Sequence, residues 1–165
     1  MRVKPGSIYE VCTEIKYKEG IGVLKSDDIC LIGLKGDTVE FKVRDFRPQA
    51  APVAVMSLSQ ITGVDFFSET ELIEKSRSVV GRSIVGGLVF GSVGAIVGGL
   101  SGTQKKQGTK VRFFLVLNYI PSGGTEPVPA TFEDAVPFSN TRKFLAALKA
   151  KIPSVPPKPT NTVQL

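Results

Sequence analysis

Histidine and tryptophan are both absent from this 165-residue chain. Without histidine there is no default general base, no Ser-His or Cys-His pair, and no common nitrogen ligand for zinc. The only two cysteines, Cys12 and Cys30, are not a CxxC pair, so they read as buried thiols rather than as a redox or metal motif. Acidic residues are missing from a long internal stretch: between positions 75 and 125 there are seven basic residues (Lys75, Arg77, Arg82, Lys105, Lys106, Lys110 and Arg112) and no Asp or Glu. From Ser83 to Gln104 charge of either sign is absent. Neither GxGxxG after a strand nor GxxxxGK[ST] occurs, which removes the common nucleotide cradles. These absences point to a non-enzymatic chain with no cofactor and no metal.

The chain has the length of one ordinary domain. Its formal net charge of +6 resides entirely in the 75–125 stretch, because the other 14 basic and 15 acidic residues nearly cancel. A net charge concentrated around an apolar segment fits phosphate headgroups better than a nucleic-acid surface. The first residues, MRVKPG, are not an apolar leader, so the expected location is cytoplasmic, membrane-associated on the cytoplasmic face.

Alternation of apolar and polar residues predicts an opening strand over 7–17 and short strands over 20–26, 29–34 and 38–43. Two more follow in VAVMSLSQITGVDFF, with a bend at Leu58 to Ile61. The stretch KVRFFLVLNYI, 110–120, is the strongest strand and is expected at the centre of the sheet, and PATFEDA, 129–135, reads as the last. From Ser139 or Asn140 as N-cap, TRKFLAALKAKI sets Phe144, Leu145, Leu148 and Ile152 on one helical face. Four prolines from 153 to 159 end it. The acidic group Asp65, Glu69, Glu71 and Glu74 reads as a solvated strand edge or a helix start, since Ser68 and Glu71 match a capping box.

The internal segment GRSIVGGLVFGSVGAIVGGLSG holds eight glycines between Gly81 and Gly102. Gly87 and Gly91 are four apart, as are Gly94, Gly98 and Gly102, a spacing that lets helix backbones approach closely. In water each glycine costs a helix about 1 kcal/mol relative to alanine, so lipid or protein must cover this run. The 22 residues from Ser83 to Gln104 would span about 33 Å as one helix. A single span would put strands of one sheet on opposite sides of a membrane. The reading is therefore a re-entrant helical hairpin, broken at Phe90-Gly91-Ser92, with Ile84, Leu88, Phe90 and Ile96 among its apolar contacts and the five zipper glycines at its seam. Arg77, Arg82, Lys105, Lys106 and Lys110 form a collar for anionic lipid.

The order of short strands closed by an amphipathic helix, with this glycine-rich insert between the fifth and sixth strands, resembles the bacterial pleckstrin-homology-like group over residues 19–152. The resemblance implies a mainly β fold: a bent antiparallel β-sandwich or partly open barrel, closed by a C-terminal α-helix, with the glycine-rich helical hairpin inserted. The organisation expected is an N-terminal strand or extension over 1–18, a β domain over 19–78 and 107–152, the insert over 79–106, and a Pro-rich tail over 153–165. The partners expected are anionic membrane lipid, further copies of the chain, and a protein partner on the β domain, with no nucleic acid. The alternative is a soluble homo-oligomeric, protein-binding scaffold whose zipper hairpins form the oligomer core.

Overall fold

The computed structural model describes residues 8–44, 51–77, 88–90, 111–137 and 139–152, without the side chains of residues 76 and 77. Seven strands are present among them: β1 (Val11–Glu19), β2 (Ile29–Lys35), β3 (Thr38–Val43), β4 (Ala54–Ser57), β5 (Ile61–Ser68), β6 (Phe113–Tyr119) and β7 (Val128–Glu133). Two helices accompany them, α1 (Glu69–Arg77) and α2 (Thr141–Lys151). All strand pairs are antiparallel, in the order β4-β3-β2-β1-β7-β6-β5.

That order forces the sheet to curl. Strands β4 and β5 lie at opposite ends of it, yet only the three-residue 3-10 turn Leu58–Gln60 joins them. In a flat sheet these edges would stand about 29 Å apart, at ~4.8 Å per strand, whereas so short a link reaches only about 14 Å. The sheet is therefore rolled until its edges approach without closing. The turn fastens both sides: Leu58 N–H donates to Asp37 O at 2.9 Å, and Ile120 N–H donates to Gln60 O at 2.8 Å. Ser57 and Gln60 form its reciprocal capping box.

The inner face carries the main core, with Ile15, Tyr17, Cys30, Ile32, Leu34, Val39, Phe41, Leu115, Leu117 and Phe132 buried. The Phe41 and Phe132 rings stack at 6.1 Å across the curl although β2 and β1 separate their strands. Helix α2 covers this face through Phe144 and Leu148. Arg142 lies over the stacked Phe66 and Phe113 rings, at 5.1 and 5.8 Å. Its N-cap is Asn140, but no side-chain bond caps the helix; the Ser139 hydroxyl donates to Asp134 Oδ1 instead.

Several expectations change. Residues 20–26 form a turn, because Gly20 adopts φ +107° and the Tyr17 hydroxyl bonds both Ile21 N and Ile21 O, bending the chain away from a ladder. The strands number seven among the described residues, fewer than the eight anticipated. Strand β6 is second from the edge, not central. It reads as the strongest strand because both its faces are covered: Phe114 and Val116 are as fully buried as Leu115 and Leu117. Val111, within the expected strand 110–120, precedes the observed one and is 67% exposed. Strand β1 runs across the 18/19 division and pairs with both β2 and β7 at the middle of the sheet. Cys12 pairs with Gly33, and Cys30 with Ile15, in the β1–β2 ladder, which turns the two free thiols to opposite faces where no disulfide can form. Burial raises both thiols, Cys30 to about 11.

Candidate functional site

The site is built on the outer face of β5, β6 and β7. The register puts Phe67 beside Phe114 and Val116 beside Thr131, with Asn118 opposite Pro129. Helix α1 begins where β5 ends: Ser68 N–H donates to Glu71 Oε2 at 2.8 Å and Glu71 N–H donates to the Ser68 hydroxyl at 3.3 Å, a reciprocal box that starts the helix. The helix swings Leu72 over the sheet, and the result is a second apolar cluster of Phe67, Leu72, Phe114 and Val116.

Into this cluster the glycine-rich segment sends its middle. Leu88 and Phe90, 6% and 8% exposed, are covered by the domain's own side chains, and the Phe90 ring meets Phe67 edge-on at 5.4 Å. Asn118, fully buried, holds the residue between them: its Oδ1 accepts from Val89 N–H at 2.5 Å and its Nδ2 donates to Val89 O at 3.1 Å. The side-chain amide thus does what the peptide group of a neighbouring strand would do. Burying the two side chains contributes about 5 kcal/mol gross. Fixing three residues of backbone costs about 4 to 5 kcal/mol, so the Asn118 clamp weighs in the balance.

Residues 88–90 are not helical, so Ser83–Gln104 is not one continuous helix. The expected break, Phe90-Gly91-Ser92, overlaps the pinned triplet only at Phe90. The hairpin itself, with Ile84, Gly87, Gly91, Gly94, Ile96, Gly98 and Gly102, lies outside the described residues, as do Arg82, Lys105, Lys106, Lys110 and the Pro-rich tail. Arg77 closes α1.

Beside the cluster an ion-pair network crosses β1, β7 and β6. Arg112 Nε donates to Glu133 Oε1 at 2.8 Å, Lys18 Nζ stands 3.4 Å from Glu133 Oε2, and Arg112 also faces Glu69 at 3.7 Å. Its guanidinium covers the Phe114 ring at 5.1 Å. Lys75 lies over Phe67 at 5.7 Å. Two cations that the sequence placed around the apolar segment are thereby engaged by the domain. The acidic group resolves similarly: Glu69 faces Arg112, Glu71 caps α1, and Asp65 pairs with Lys149 at 3.0 Å. Among the described residues no group of His, Cys, Asp or Glu is arranged to hold a metal. The cavity of about 40 Å³ lined by Cys12, Thr13, Glu14 and Asn140 has room for little more than water.

The hydrogen bond from Arg112, reinforced by its charge, holds the Glu133 carboxyl below the usual range against the opposing effect of burial. Stability from this pair is therefore complete above the ordinary carboxylate pKa and is lost as pH falls through the lower folded value. Glu133→Gln should cost about 2 kcal/mol at pH 7 and flatten the decline between pH ~5 and ~3. Urea midpoints at the two ends of that window measure both effects; an unchanged slope would count against the pair.

The receiving face has no periodic signature in the sequence. A signal was present in Asn118, a lone amide within the apolar run FFLVLNY, since a buried amide requires partners. What its partner was could not be read from spacing.

A rolled antiparallel sheet, closed by a C-terminal helix and carrying an apolar insert before its sixth strand, defines a pleckstrin-homology-like binding module, a class generally without enzymatic activity. The model of the glycine zipper-containing PH domain family matches residues 16–118, from within β1 to β6 and across the whole insert, and the chain belongs to that family. No curated protein and no solved structure matches it.

Proposed function

We propose that this is a non-enzymatic, membrane-associating and self-assembling PH-like module. Its glycine-zipper insert docks on or enters the cytoplasmic face of an anionic membrane, and Arg77, Arg82, Lys105, Lys106 and Lys110 meet the headgroups. The observation that carries the reading is the pinning of Leu88–Phe90 on the outer face, between the end of α1 and the start of β6. Around it, the uncharged stretch divides into runs of 5 and 14 residues. Even as helices these would reach only about 8 and 21 Å, short of a ~30 Å hydrocarbon core, which favours shallow insertion. Among the described residues no helix is long and apolar enough to cross a membrane.

Deleting residues 83–104 would also uncover Phe67 and Phe114, so the sound test leaves the pinned triplet in place. In flotation with phosphatidylserine-containing vesicles, Ile84→Asp/Ile96→Asp should lower the bound fraction at least tenfold, because each buried charge costs about 3 kcal/mol in lipid. Equal flotation of both proteins would reject insertion. The second reading, a soluble oligomer whose zippers pack together, draws on the covering of Leu88 and Phe90 by protein. A defined oligomer mass in lipid-free buffer, with no flotation, would favour it.

A further inference from the structure

The pinned triplet occupies its groove as a strand-like peptide would, and two features make that groove a receptor rather than ordinary core. The recognition is alternate: Leu88 and Phe90 enter apolar positions while Val89 is held through its main-chain N–H and C=O. The clamp is a side-chain amide, which reads backbone and accepts any segment of matching apolar pattern.

We propose that this groove, lined by Phe67, Leu72, Phe114, Val116 and Asn118, is an exchange site that binds the Leu88–Val89–Phe90 segment of a second copy of the chain. The inference goes beyond membrane association and requires no lipid. The exchanged contacts are identical to the resident ones, so contact energy does not select between own and foreign segment; concentration does. A segment carried by the same chain competes at an effective concentration on the order of 1 mM. Dilute chains therefore keep their own segment, and chains gathered at a surface or in an assembly trade them.

The test uses an isotope-labelled chain carrying Leu88→Ser/Phe90→Ser, whose groove cannot be filled from within. The first probe is a peptide of residues 86–92, GGLVFGS; the others are two unlabelled chains, wild type and Asn118→Leu. The peptide is expected to shift the Asn118 side-chain amide and the Phe114 and Val116 backbone amides saturably. The wild-type chain should do so with half-saturation near 1 mM, the effective concentration of a segment within its own chain. The Asn118→Leu chain, which holds its own segment less well, should reach half-saturation at a several-fold lower concentration. Silence from the peptide would overturn the proposal, and so would equal potency of the two chains, which would place association elsewhere than the groove. Amide protection at Ile15, Ile32 and Phe132 verifies that the labelled chain is folded; if it is not, Phe90→Ser alone takes its place with the same outcomes.

Discussion

Gly20→Val should lower the urea midpoint by about 2 M, a loss of about 4 kcal/mol at ordinary slopes. Two penalties combine. At φ +107° a branched side chain occupies backbone space that only glycine enters readily, at a cost of about 1 to 3 kcal/mol. A Cβ there would also fall 2.1 Å from Pro129 O and 2.5 Å from the Ala130 Cα, both backbone atoms of β7, so relief requires the strand to move. Overpacking of this kind adds a further ~1 to 3 kcal/mol. The corner is tied from both sides, since the Tyr17 hydroxyl bridges Ile21 and the Tyr119 hydroxyl donates to Gly20 O at 2.7 Å. Gly22, where a Cβ would meet no atom within 4 Å, is the control: Gly22→Ala should leave the midpoint nearly unchanged. Equal effects at the two glycines would refute the argument from close approach.

Phe114→Ala should cost about 3 to 5 kcal/mol, the range for removing a fully buried aromatic ring. The loss is expected to be uneven. Phe114 belongs to the outer cluster with Phe67, Leu72, Val116, Leu88 and Phe90, while the inner core under α2 contains none of these residues. Hydrogen exchange should therefore accelerate first at Val89, whose N–H depends on Asn118, and later or not at all at Ile15, Ile32 and Phe132. Since domains of this size have about 5 to 15 kcal/mol in hand, the inner core should remain folded. Parallel acceleration across both faces would show that the outer cluster is not a separable unit.

The strands that alternate cleanly were legible in the sequence. Thr38–Val43 was located at its observed bounds, and the bend at Leu58 to Ile61 falls on the turn joining β4 to β5. The α2 face was legible too, as Phe144 and Leu148 are fully buried. Errors arose where a local pattern met a distant constraint. GIGVLKS has the composition of a strand, but the Tyr17 hydroxyl and the approach of β7 make it a turn. KVRFFLVLNYI implied a central strand because a strand covered on both faces reads the same at any place in the order.

What the sequence alone determined is the chemical character of the chain: no imidazole, charge gathered around a glycine-rich apolar run, short strands and a closing amphipathic helix. Those follow from composition and from periods of two and 3.6 residues, which are local. Contacts between distant residues settle that the sheet rolls, that Arg112 pairs with Glu133, and that Leu88 and Phe90 join the outer cluster with Val89 in the grip of Asn118. Residues 89 and 118 are separated by 29 positions and no periodicity relates them. Their pairing exists because β5, β6 and α1 together build an apolar cluster beside one buried amide, and the backbone of the insert satisfies that amide.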